Sequence, residues 1–292
     1  MSTLQVNHGH VVARISTGAT CSTVEWHMMS HYLVAACKGE IRLYDIRQLN
    51  APVGTTMGDG TPFHSLHMPA TGSAIVCATL LGAYSLECAP CSWNNLDSPT
   101  CERLTFRTPA FGSCESLAAS PGTEAVIVAS FRQPMSTSQA SQTVAPWHSR
   151  PHHQILRDLR ATEQAPSQSS YSRNWGITSV ISDHTSQSTM TRCGILPVKC
   201  PWRTAHQQQT GHVLFGADEV SGCMWLWDAE SGARLHQVPA RTNGGPVKHV
   251  LPRGLSASTT SWFDDWLVAV SRHDLPAHKS SVEVYYMSPK RS

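Results

Sequence analysis

Short apolar runs recur along the chain at residues 33–37, 74–78, 125–129, 213–217 and 266–270, each rich in Val, Ile, Ala or Leu and punctuated by Gly, Pro, Ser or Asp. Runs of this length that are apolar on both faces predict strands buried between neighbouring sheets, and none carries the 3.6-residue stripe of a surface helix. After four of the five comes a second strand that alternates. Ile41 and Leu43, Tyr84 and Leu86, Met224 and Leu226, and Val282 and Val284 are assigned to one face. Arg42 and Tyr44, Trp225 and Trp227, and Glu283 and Tyr285 fall on the other. The pattern predicts an all-β chain.

Looser strand candidates precede the runs at 22–27, 63–68, 115–119, 193–200 and 247–251, and fourth strands are expected at 52–57, 103–108 and 234–239. Five units result, at about 20–58, 61–109, 112–188, 190–240 and 245–288. The third is stretched by an insertion, 133–173, in which 133–150 and 161–173 are rich in Ser, Gln, Thr and Pro and are expected to be mobile loops. Between them, 152–160 fits either a displaced outer strand or a short helix. Residues 10–16 have a strand's composition and fit two places, the end of a preceding unit or a partner for the last unit.

Composition narrows the function. Of 292 residues only 14% are charged, and the formal net charge is +2, which is not the footprint of a dedicated nucleic-acid binder. No run of 18 apolar residues appears, so no membrane partner is expected. Residues 1–16 lack the basic and apolar regions of a secretory signal, so an intracellular protein is expected. The ten cysteines are then read as thiols.

Two stretches repeat one motif, Glu40 to Asp45 and Cys223 to Asp228, each behind an apolar run and ahead of a polar turn. They resemble the outer half of a WD-repeat blade, and the unit spacing matches that repeat's period of roughly 40–50 residues. The resemblance implies a WD40-type β-propeller of about five visible units, read as an incomplete seven-bladed ring. It also implies that Asp228 and Asp45, following Trp227 and Tyr44, brace their own blades by accepting hydrogen bonds across a tight turn. Glu87-Cys88 and Tyr285-Tyr286 depart from the pattern at the corresponding positions, and Gly211-His212 is displaced from the usual early place of its dipeptide.

Residues 32–47 and 216–232 carry a more specific likeness. The chain resembles, from about 10 to 287, the C-terminal WD-repeat region of the RING finger and WD-repeat E3 ubiquitin ligases that act on replication protein A in DNA interstrand crosslink repair. That resemblance implies a nuclear protein whose propeller holds substrates, replication protein A among them, while a RING not contained in this sequence recruits the conjugating machinery. The alternative is a stand-alone WD-repeat scaffold without a ubiquitin role.

Candidate chemistry is sparse. Cys88 and Cys91 have the gap of half a zinc site, with Cys101 nearby, but no second pair follows at finger spacing, so no metal is assigned. No His-Glu-x-x-His, Gly-x-Ser-x-Gly or phosphate-cradling loop is present, so neither a catalytic residue nor a cofactor is assigned. Arg42 and Trp225 are candidate partner contacts, because arginine and aromatic side chains anchor interfaces. Ser138, Ser141, Ser167 and Ser186 each precede Gln and are candidate phosphosites of damage-checkpoint kinases, in a region where Ser and Gln are abundant.

Overall fold

The computed structural model describes residues 15–26, 31–48, 51–57, 60–68, 74–80, 82–87, 100–103, 114–120, 126–132, 151–158, 175–182, 192–200, 210–218, 220–239, 247–254, 265–274 and 279–288. Among them there is no helix, and nineteen strands form five antiparallel sheets. The first sheet is β1 (Cys21–Trp26), β2 (Tyr32–Cys37), β3 (Glu40–Asp45) and β4 (Gly54–Met57). The second is β5 (Ser65–His67), β6 (Ala74–Thr79), β7 (Gly82–Glu87) and β8 (Thr100–Arg103). The third is β9 (Cys114–Ala119), β10 (Val126–Phe131), β11 (His152–Asp158) and β12 (Trp175–Ile181). The fourth is β13 (Gly194–Lys199), β14 (Thr210–Ala217), β15 (Met224–Asp228) and β16 (Arg234–Val238), and the fifth is β17 (Val247–Gly254), β18 (Trp266–Asp274) and β19 (Lys279–Met287).

Every sheet is a meander in which neighbours in sequence are neighbours in space. One of the tightest connections is in the first sheet. Between β2 and β3 only Lys38 and Gly39 intervene, both at positive φ (45° and 87°), which is the mirror-image turn whose twist matches paired strands. The short strand β8 begins three residues before the expected 103–108 and ends where the described residues stop. The open question at 152–160 resolves as a strand, since β11 pairs with β10 from Val126↔Arg157 to Phe131↔His152. That part of the 133–173 insertion is therefore strand rather than helix, and β12, just beyond the insertion, completes the third sheet.

The sheets stack face to face in sequence order. Val34, Ile41 and Leu43 of the first meet Phe63, Leu66 and Ile75 of the second. Val76 and Ala78 then meet Leu117, Ile127 and Phe131 of the third. Val128 and Ile155 meet Ile195, Leu214 and Trp227 of the fourth, and Phe215, Met224 and Leu226 meet Val250, Trp266 and Val268 of the fifth. Each fully buried side chain of this kind stabilises the fold by roughly 1.5–3 kcal/mol.

Along one edge the leading strands β1, β5, β9, β13 and β17 lie side by side. Hydrogen bonds tie them across the sheet boundaries. The Ser22 hydroxyl donates to Phe63 O at 2.5 Å, His67 Nε2 to Leu117 O at 2.7 Å, Cys193 N to Ser116 Oγ at 3.2 Å and Val250 N to Arg192 O at 3.1 Å. No comparable packing joins the fifth sheet to the first among the described residues.

The faces of the third strands show a consistent order. Ile41 and Leu43, Ile155, and Met224 and Leu226 each face the following sheet. Val282 and Val284 hold the same position in the fifth sheet, but nothing described follows them, and they are 70% and 62% exposed. The expected grouping of Tyr84 with these residues is off by one. Tyr84 packs toward the first sheet, and its neighbour Ala83 faces the third, because one residue of register reverses every side chain.

Candidate partner-recognition surface

Trp227 ends the alternation of β15 with its indole wholly buried between the third and fourth sheets. Its place depends on Gly216 in the paired strand, since a Cβ there would lie 2.9 Å from Trp227 Cζ3 and 3.0 Å from His153 Nε2. The His153 ring meets the indole at a centroid distance of 5.6 Å and an interplanar angle of 61°.

Asp228 follows at the strand end, buried, and its Oδ1 accepts from Glu230 N and Ser231 N at 3.0 Å each. Backbone bonds from Asp228 N to Ala233 O and from Gly232 N to Asp228 O, both 2.8 Å, close the turn. Asp45 is placed alike but differently engaged. Its Oδ1 accepts from Arg47 N at 2.9 Å, and the Arg47 guanidinium grips both oxygens, with Nη2 to Oδ2 at 2.6 Å. Those bonds hold the Asp45 carboxyl down at about 2. Tyr44 is buried on the face of the first sheet that points away from the second, against Ala35 and Cys37, with Ile15 and Ala19 packed over them.

The two candidate contacts divide. Arg42 is engaged within the chain: Nε and Nη2 donate to Glu40 Oε2 at 2.9 and 2.8 Å, and Nη1 donates to Thr17 O. It fastens the segment that enters the first sheet. Trp225 is partly exposed beside the buried cluster of the third and fourth sheets, and the exposed Arg234 places Cζ 3.9 Å from its ring centroid. A cation over an indole at this distance is attracted by the ring's quadrupole, and both groups stay reachable from solvent. Ser138, Ser141, Ser167, Ser186, Cys88 and Cys91, and residues 10–14, lie outside the described residues.

Three polar clusters were not legible in the sequence. Arg157 of β11 donates to Glu230 in the turn after Asp228, and His212 Nδ1 lies 3.3 Å from the same carboxylate. Burial pushes the Glu230 carboxyl up, but His212 and Arg157 outweigh it and hold it at about 2. Arg272, almost fully buried, donates through Nε to Glu283 at 2.9 Å and through Nη1 to Gly222 O at 2.7 Å, and Tyr285 donates to Glu283 at 2.6 Å. This group fastens the fifth sheet to the β14–β15 turn. Ser130 joins His153 Nδ1 at 2.7 Å to Cys193 Sγ at 3.1 Å inside the third and fourth sheets. Arg157 and Glu230 are 73 residues apart, Ser130 and Cys193 63, and Arg272 and Gly222 50, so no local motif announces them.

All three clusters are sheet-to-sheet fasteners rather than open sites, and among the described residues no group of three or more His, Cys, Asp or Glu is placed to hold a metal ion. Among the described residues, exposed aromatic and apolar groups lie at the Trp225–Arg234 pair, at Leu80 and Val220, and on the two end faces of the array. On the first sheet, Val24 and Trp26 are about half exposed, and on the fifth Tyr286 joins Val282 and Val284 at 63% exposure. Compared with protein-family models and with curated proteins, the chain matches none.

Proposed function

We propose that the chain is a WD-type β-propeller segment that recognises a protein substrate for a RING-type ubiquitin ligase in nuclear DNA-damage repair, replication protein A being the first candidate substrate. The ligase part of the reading rests on the likeness of residues 32–47 and 216–232 to that family. The observation that carries the recognition part is the Trp225–Arg234 pair at the rim, an aromatic and a guanidinium stacked at 3.9 Å. Such pairs are common anchors of protein interfaces. The mechanism is positional. A rigid array holds the client, and a RING supplied elsewhere raises the effective concentration of conjugating enzyme at the acceptor lysine.

The propeller reading is supported by the leading strands lying side by side and by the Asp228 turn. The two apolar end faces support an incomplete ring. Val282 and Val284 occupy the positions that face the following sheet elsewhere, so a further sheet fits there.

The test uses the full chain and purified replication protein A in a surface-binding assay. Saturable binding that weakens at least tenfold in Trp225→Ala or Arg234→Ala is expected. A folded chain that shows no binding removes the substrate assignment and leaves the stand-alone scaffold.

A further inference from the structure

Cys21 and Cys37 are register partners in the antiparallel pair of β1 and β2. Among the described residues no other ladder position opposes two cysteines. The juxtaposition depends on an irregularity in the strand. Thr23 pairs with Ala36 and Cys21 with Cys37, so Ser22 is an extra residue on β1. Strict alternation from Val24, which pairs with Ala35, would put Ser22 on the Cys37 face and turn Cys21 away. The extra residue instead sends the Ser22 hydroxyl to Phe63 O of the second sheet and returns Cys21 to the side of Cys37. Bulges commonly re-aim a side chain in this way.

We propose that Cys21 and Cys37 are a thiol–disulfide exchange site that forms a reversible cross-strand disulfide with low-molecular-weight disulfides such as oxidised glutathione. Opposed residues of an antiparallel ladder have Cα atoms about 4.5–5.5 Å apart, within the span of about 4.4–6.8 Å that a disulfide bridges. Both cysteines are free thiols, and the Cys21 Sγ donates only weakly, to Thr23 O at 3.4 Å on its own strand. Their accessibility differs in a useful way. Cys21 is exposed, whereas Cys37 is wholly buried with Ala35 and Tyr44.

That difference sets the order of events. The Cys21 thiolate attacks one sulfur of oxidised glutathione, the glutathione S–S bond breaks, and one glutathione thiolate leaves and takes up a proton. Cys37 then gives up its proton, and its thiolate attacks the Cys21 sulfur of the mixed disulfide. A new S–S bond forms between the two residues, and the second glutathione leaves as a thiol. Two protein thiols are oxidised and one glutathione disulfide is reduced to two thiols. Burial pushes the Cys37 thiol up, which makes the second attack the slower one. The product pins β1 covalently to β2 at the start of the array, beside the segment that Arg42 holds.

The full native chain is incubated with oxidised glutathione, quenched with N-ethylmaleimide at a series of times, digested and mapped by mass spectrometry. The expected result is an early Cys21–glutathione adduct that converts to a linked Cys21–Cys37 peptide lacking two hydrogen atoms, reversed by dithiothreitol. In Cys37→Ser the adduct at Cys21 should persist, and in Cys21→Ser neither species should form. A wild-type chain that retains its circular dichroism spectrum and either stops at the Cys21 adduct with Cys37 still alkylatable, or links Cys37 only in denaturant, overturns the proposal. The wild-type time course decides the matter even if a variant fails to fold.

Discussion

The Trp227 indole lies across Gly216 so closely that a methyl group at residue 216 would sit 2.9 Å from Cζ3. Gly216→Ala must therefore displace a wholly buried tryptophan together with the His153 ring. Overpacking of this kind typically costs about 1–3 kcal/mol. Urea denaturation followed by tryptophan fluorescence should show a lower midpoint, and an unchanged midpoint would mean that the third and fourth sheets are less tightly joined than described.

Asp228→Ala removes the acceptor of two backbone N–H groups at the turn that closes β15. In this partly buried turn the loss should be on the order of 1 kcal/mol, the net worth of a hydrogen bond, because water can reach part of the freed N–H groups. Asp228→Asn keeps an acceptor oxygen and should recover part of the loss. If both variants melt as wild type does, the turn is held by its backbone bonds alone.

Acid should loosen the junction of the second and third sheets. His64 Nε2 donates to Cys114 O at 2.9 Å while its Nδ1 lies 2.9 Å from the Ser65 hydroxyl, and His67 donates to Leu117 O. Burial pushes both imidazoles below 6.5, and the Arg192 guanidinium adds to the effect. Below 6.5 the unfolded chain then binds more protons than the folded one, so this stabilisation is complete above 6.5 and is lost as pH falls from there toward the folded values. Glu25 works in the opposite sense, because burial raises its carboxyl to about 7 and its contribution is lost as pH rises from 4.5 through about 7. In a Glu25→Gln background, stability from urea melts should fall between pH 6.5 and 5. A flat profile there would show that the two histidines titrate alike in both states.

The outer face of the fifth sheet predicts self-association. Val282, Val284 and Tyr286 alternate along β19 and all three are well exposed. Exposed apolar faces of this kind drive association. Val284→Lys should reduce concentration-dependent association in sedimentation velocity without lowering the urea midpoint. Association that persists unchanged would place the sticky surface elsewhere.

The strands of the core were readable because Val34, Val128 and Phe215 lie in runs apolar on both faces, and a run buried between two sheets needs no other signal. Strands β11 and β12 were harder. His152, His153 and Gln154 are buried polar residues, and their cover comes from partners such as Ser130 that the local sequence does not reveal. Facing direction was legible where alternation was strict, as at Ile41 and Leu43, and failed at Tyr84, where Ala83 proved to be the residue turned to the third sheet. Trp227 and Asp228 were found by motif. Arg157, Glu230 and Arg272 were not, because an ion pair between sheets joins positions whose spacing is set by the whole fold.

The hydrogen bonds among the leading strands run mostly between sheets adjacent in sequence, Arg192 Nη2 to His64 O at 3.3 Å being one that skips the third, so cooperativity is largely that of neighbouring units in a row. Amide protons in the second, third and fourth sheets, each packed on both sides, should exchange more slowly than those of the first and fifth, and opening should propagate inward from those two.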